Sequence, residues 1–142
     1  MENLNTATKL VWKRAAAEAA GKGSNIIEPV HLLSSIAAIL QAWEDGKVHL
    51  DEEEGSLLKR SFTASGVVPV TLRRAALSQM HFHKATPSSS EIIHRSTTTK
   101  NIFESAQQLA LEQPVSTLHL LGATLDQGDR QVALALRSVD ID

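Results

Sequence analysis

The segment Gly21-Lys22-Gly23-Ser24 is the first place where the chain could bind a phosphate group. A phosphate-binding loop needs the spacing Gly-x-x-x-x-Gly-Lys-Ser/Thr after a strand, and this segment has neither that spacing nor a preceding strand pattern. Glycine readily adopts the left-handed conformation at which helices stop. The segment is therefore predicted to end a helix, and no cofactor is expected.

Histidines are the next residues that could bind a metal or take part in catalysis. His81, His83 and His94 could supply imidazole ligands, but a metal site needs a converging set, and no further pair or carboxylate stands at ligand spacing. No metal site is predicted. His31 and His119 each precede a Leu-Leu pair, and both are predicted to bond to backbone at a helix start as structural residues.

No residue type or spacing indicates catalysis. Serine is plentiful, but no Gly-x-Ser-x-Gly elbow occurs, and cysteine is absent. The net charge of −2 gives no electrostatic footprint for nucleic acid or a membrane surface. No apolar run approaches the roughly 20 residues that span a bilayer, and the first residues lack a signal-peptide pattern. We expect a cytoplasmic, non-enzymatic protein with no nucleic-acid or membrane partner.

The strongest pattern is an internal repeat. Thr8-Lys9-Leu10-Val11-Trp12 returns, at an offset of 91 residues, as Thr99-Lys100-Asn101-Ile102-Phe103. His31-Leu32-Leu33 returns, at an offset of 88, as His119-Leu120-Leu121. A helical unit that cannot bury its apolar face alone can do so against a second copy. Trp12 and Phe103, at matched positions, are therefore predicted to lie in the core.

Apolar residues at helical spacing predict helices along the whole chain, and no run of alternating strands is found. Asn5 and Ser96 stand at matched helix openings, where their side chains can accept from free N–H groups of the first turn. Pro29 and Pro69 suit the first turns of the second and fourth helices. The predicted fold class is all-α.

The repeat sets the predicted organisation of the chain. A single domain over residues 1–142 divides into repeat one at about 4–83, a linker at about 84–91 and repeat two at about 92–142. Repeat one is the longer copy and holds an insertion predicted within Gln41 to Glu54. The acidic run at its end, Asp51–Glu54, is interpreted as a solvated face, with docking of a basic partner as the alternative.

Several short motifs recur in both copies at corresponding places. They are the helix openings Leu4-Asn5 and Arg95-Ser96, the loop motifs Ile27–Leu33 and Val115–Leu121, and the repeat ends Gly66-Val67 and Ser138-Val139-Asp140. With these motifs the chain resembles the N-terminal domain of Clp ATPases, the protein unfoldases of the AAA+ class. The resemblance implies a pseudo-twofold tandem repeat of four-helix units. The chain stops two residues after Asp140, before the position of the last helix of the second unit.

The resemblance also implies a function and a set of binding residues. It indicates a substrate- or adaptor-docking module of a Clp-type unfoldase, with client proteins or an adaptor as partners and Clp ATPase rings outside this chain. The residues that it assigns to protein binding are Asn5, Thr8, Val30, Ser96, Thr99 and Leu118.

One departure from the family concerns ligand specificity. Val30 and Leu118 stand where the family commonly has glutamate before the motif histidine, and in some relatives that glutamate recognises phosphorylated arginine. An aliphatic side chain cannot form paired bonds to a guanidinium. The corresponding clefts are therefore predicted to be apolar, and phosphoarginine recognition is not carried over.

Two other functions are compatible with the sequence. The chain could be a stand-alone accessory protein that docks onto a Clp protease or unfoldase. It could also be a helix-turn-helix DNA-binding regulator, because a short loop joins paired helices, although its charge does not favour this.

Overall fold

The structure, a computed structural model, describes residues 3–80 and 94–139. In those ranges the elements are α1 (Thr6–Gly21), β1 (Ile26–Ile27), α2 (Pro29–Glu44), α3 (Glu52–Ala64), α4 (Pro69–Ser78), β2 (His94–Arg95), α5 (Thr97–Ala110), α6 (Thr117–Gln127) and α7 (Arg130–Ser138). The all-α prediction is confirmed. The two strands pair in parallel and are two residues long, too short to leave an alternating pattern in the sequence.

Helix α2 is the centre of the core. Every residue from Pro29 to Leu40 is buried, and the helix packs against α1, α4, α6 and α7. Prolines open α2 and α4, where a missing N–H costs nothing. Alanines at matched positions of α1 and α5, Ala15 and Ala106, are fully buried and allow close helix packing.

The extra length of the first half falls at the end of α2 and in the loop before α3. Helix α2 has 16 residues, whereas α6, which carries the matching motif, has 11. Gly55 in α3 then packs against the ring of Trp43, so closely that a Cβ atom there would lie 2.6 Å from Trp43 Cε2. This contact fixes the start of α3, and the acidic run in its first turn therefore lies near α6.

Some sequence predictions fall outside the described residues. His81, His83 and the linker at about 84–91 belong to this group, and the two repeat boundaries remain a prediction. No described helix is both long and apolar enough to cross a membrane. The described part also contains no cluster of three or more histidine, aspartate or glutamate residues that could hold a metal ion.

Candidate functional site: two clefts at the helix openings

The opening of α1 is bound to the loop before α6. Leu4 forms a parallel bridge with Val115. The Asn5 N–H donates to the Val115 carbonyl at 2.9 Å, and the Thr8 hydroxyl donates to the same oxygen at 2.9 Å. The Asn5 side chain accepts from the Thr8 N–H at 2.9 Å and so caps the helix.

The opening of α5 is bound in the same way to the loop before α2. The Ser96 N–H donates to the Ile27 carbonyl at 3.0 Å, and the Thr99 hydroxyl donates to that oxygen at 2.8 Å. Ser96 Oγ caps α5 by accepting from the Thr99 N–H at 3.1 Å. Each helix opening is thus joined to the loop motif of the other half of the chain.

The two motif histidines make equivalent bonds. His31 Nδ1 accepts from the Glu28 N–H at 2.8 Å, and His119 Nδ1 accepts from the Ser116 N–H at 3.0 Å. Both imidazoles therefore bond to backbone at the start of a helix, and each closes a capping box. This arrangement gives the histidines a structural role in shaping the loops.

A cleft lies beside each loop motif. The copy-one cleft, of about 140 Å³, is lined by Ser24, Ile26, Glu28, Val30, His31, Met80 and Gln131. The copy-two cleft, of about 400 Å³, is lined by Asn5, Asp51, Glu53, Glu54, Leu57, Gln113, Pro114, Ser116, Leu118 and His119. Met80, which follows α4, is one of the residues that line the first cleft.

Glu54 is the residue that builds the copy-two cleft. The residue is 8% exposed, and its carboxylate accepts from Asn5 Nδ2 at 2.8 Å, from the Thr117 N–H at 2.8 Å and from the Thr117 hydroxyl at 2.6 Å. One buried carboxylate thus accepts hydrogen bonds both from the residue that caps α1 and from the first residue of α6. In copy one, Pro29 stands at the position of Thr117 and has no N–H to donate.

The prediction that both clefts are apolar is wrong. Glu28 lines the copy-one cleft, and the copy-two cleft departs further from the prediction. Asp51 and Glu53 line it, because the insertion in the first half carries the start of α3 across to α6. The interpretation of the acidic run as a solvated face holds for Glu52 and Glu53, which are exposed, but not for Glu54. The local sequence did not reveal these partners: a glutamate three residues after an N-cap such as Asp51 commonly bonds back to the N-cap N–H, whereas Glu54 accepts from Asn5 and Thr117.

The residues predicted to bind protein occupy different environments. Asn5, Ser96 and Leu118 are partly exposed. Thr8 and Thr99 are fully buried, and their hydroxyls bond to backbone carbonyls beneath the surface. Val30 is 1% exposed and lines the copy-one cleft. Their role in binding stays a prediction.

The matched aromatic residues meet at the junction of the two halves. Phe103 is fully buried, whereas Trp12 is partly buried, and their ring centroids lie 5.5 Å apart in an edge-to-face arrangement. The Arg95 guanidinium lies 5.6 Å from the Trp12 ring centroid and 5.2 Å from that of Phe103. Both rings are therefore engaged in packing and a cation–π contact.

Comparisons with known proteins show the fold alone. No family model matches the chain, and no curated protein matches it. A solved structure from a malarial protein secretion system is similar to it, with a TM-score of 0.70 and 21% identity over 96% of this chain and 84% of that chain. The same helical arrangement therefore occurs in a protein of that secretion system.

Proposed function

We propose that this chain is a substrate- or adaptor-docking module of a Clp-type protein unfoldase and has no catalysis of its own. The quoted motifs support this proposal, because they recur in both halves at positions that make equivalent hydrogen bonds. The fold shared with a protein of a malarial protein secretion system is compatible with a role in handling other proteins.

The copy-two cleft is the observation that carries the proposal. It is open and brings together a polar helix cap at Asn5, two carboxylates at Asp51 and Glu53, and the apolar side chains of Leu57 and Leu118. In the described part neither Asp51 nor Glu53 forms an ion pair. A cleft of this chemistry favours a segment in which a basic side chain is flanked by apolar ones.

Binding of labelled peptides to the purified chain tests the proposal. Three fluorescent peptides of equal length would carry arginine, phosphoarginine or glutamate between two leucines. We expect saturable binding that is tightest for arginine. Phosphoarginine should bind no better, because its phosphate is repelled by Asp51 and Glu53, and Val30 and Leu118 offer no carboxylate at the family's positions.

Adjacent glutamates provide a matched pair of variants. Glu53→Gln should weaken binding of the arginine peptide about two- to fivefold, as removal of one exposed charge partner does. Glu52→Gln, an exposed neighbour that does not line the cleft, should leave the affinity unchanged. Equal affinities for the three peptides, or equal effects of the two variants, would show that the cleft does not select its ligand in this way.

A further inference from the structure

His119 is a titratable side chain in the wall of the copy-two cleft. It is partly exposed and lines the cleft. Its Nδ1 accepts from the Ser116 N–H at 3.0 Å and lies 3.1 Å from Ser116 Oγ. Because an N–H donates to Nδ1, this nitrogen carries no proton and the imidazole is neutral. The capping box at the start of α6 therefore requires an unprotonated His119.

Protonation of His119 would turn Nδ1 from an acceptor into a donor. The new N–H could donate to Ser116 Oγ, but the Ser116 N–H would then have no acceptor. Two donors would otherwise face each other at the present distance of 3.0 Å. The ring must turn away from the Ser116 N–H in either case, and the capping box opens.

Ser116 lies between two residues that bond to other walls of the cleft. The Val115 carbonyl before it accepts from the Asn5 N–H at 2.9 Å. The Thr117 N–H after it donates to Glu54 at 2.8 Å. Asn5 and Glu54 both line the cleft. Opening of the capping box would therefore change the shape of the cleft as well as its charge.

The charged groups that line the cleft beside His119 are all acidic. They come from the start of α3 and are Asp51, Glu53 and Glu54. The residues that line the cleft from α1 and from the loop before α6 are uncharged, namely Asn5, Gln113, Pro114 and Ser116. No described residue of α2 or α5 lines it. An imidazolium here would offset part of the negative charge that attracts a basic ligand.

We propose that His119 makes ligand binding in the copy-two cleft sensitive to pH, with the neutral form binding a basic segment and the protonated form releasing it. This inference rests on the proposed function and adds a regulation of the same cleft. Histidine side chains in peptides change charge near about pH 6.5, whereas aspartate and glutamate do so near about pH 4. Between about pH 8 and about pH 5.5 a histidine is therefore the group whose charge changes.

The copy-one capping box differs in two respects. Its N-cap is Glu28, where copy two has Ser116, and a carboxylate can accept a hydrogen bond from a protonated imidazole. His31 is 4% exposed, whereas His119 is partly exposed. The response to protonation is therefore expected at the copy-two cleft.

Titration of the arginine peptide, with both termini blocked, into the full chain tests the proposal. Between about pH 8 and about pH 5.5 the affinity should fall about fivefold or more. His119→Gln should bind as the unmodified chain does at the higher pH and should change by less than about twofold across the range. Glutamine at the third helical position also closes a capping box, but it does not titrate.

Two other histidines provide matched control variants. His49 lines an adjoining cleft that shares Asn5, Asp51 and Glu54 with the copy-two cleft, and His31 closes the copy-one capping box. His49→Gln and His31→Gln should both keep the pH dependence of the unmodified chain. Circular dichroism at both pH values would show that each variant is folded.

An NMR measurement without ligand separates this inference from the proposed function. The amide resonance of Ser116 should shift over the same pH range in the unmodified chain and stay constant in His119→Gln. Peptide binding that is independent of pH, or that weakens equally in His119→Gln, would overturn the inference and leave the proposed function in place. If no peptide binds even at the higher pH, the proposed function fails. A Ser116 resonance that does not respond to pH would then overturn the inference as well, and one that shifts only when His119 is present would support it.

Discussion

Glu54 shows how a single side chain can join distant parts of this chain. Its two carboxylate oxygens bond to residues 49 and 63 positions away, and they hold together the first turns of α1, α3 and α6. The charge of this residue, which is 8% exposed, is tolerated because three donors, a side-chain amide, a backbone N–H and a hydroxyl, bond to its carboxylate. The same bonds position Asn5 and the first turn of α6 at the copy-two cleft.

Glu54→Gln is expected to destabilise the protein by about 1–3 kcal/mol. The amide keeps the shape of the side chain, but its NH₂ group must face either Asn5 Nδ2 or Thr117, both of which are donors. Urea unfolding followed by circular dichroism would measure the change. Glu53→Gln, on the exposed side of the same turn, should stay within about 0.5 kcal/mol. Similar values for the two variants would show that the buried network contributes nothing to stability.

At the scale of elements, the placement of α3 decides the character of the copy-two cleft. The helix begins with Asp51, whose side chain accepts from the Glu54 N–H at 3.3 Å, and three glutamates occupy its first turn, where the helix dipole favours negative charge. Gly55 in the following turn packs against Trp43 at the end of α2. The acidic turn is thus held in place by both capping and close packing.

Gly55→Ala is expected to lower the free energy of unfolding by about 1–2 kcal/mol, even though alanine favours a helix by about 1 kcal/mol. The new Cβ atom would overlap the Trp43 ring, which must move. Gly122→Ala is the matched control, because its Cβ atom meets nothing closer than 3.9 Å, and it should stabilise the protein by up to about 1 kcal/mol. Stabilisation by both substitutions would contradict the close packing of α3 against α2.

At the scale of the whole molecule, hydrogen bonds and side-chain packing connect each half of the chain to the other. The opening of α1 bonds to the loop before α6, and the opening of α5 bonds to the loop before α2. Trp12 of one half meets Phe103 of the other. Because these contacts cross between the halves, we expect the chain to unfold in one cooperative step.

The two aromatic residues at this junction are expected to contribute unequally to stability. Phe103→Ala should cost about 3–5 kcal/mol, because the ring is fully buried and leaves a cavity. Trp12→Ala should cost less, about 2 kcal/mol, because the indole is partly exposed and loses mainly its edge contact and its cation–π contact with Arg95. Thermal and urea unfolding of both variants would measure this. Equal losses would indicate that the two rings have equivalent environments.

The sequence by itself determined the helices and their ends. Capping by Asn5 and Ser96, the prolines at helix starts and the alanine and leucine stripes act over a few residues, so they can be read without knowledge of the fold. The all-α class followed from them, and so did the backbone bonds of the motif histidines.

Only the tertiary structure decided what lies at the surface. The carboxylate of Glu54 is buried because it meets Thr117, 63 residues away, and no local pattern encodes that meeting. The copy-two cleft is acidic for the same reason: the insertion brings α3 against α6. Leu109 of α5 and Leu125 of α6 have the spacing of ordinary helix residues, yet they are exposed, because the described elements leave these two side chains uncovered. Burial is a property of the packed molecule, because it depends on which distant elements come together.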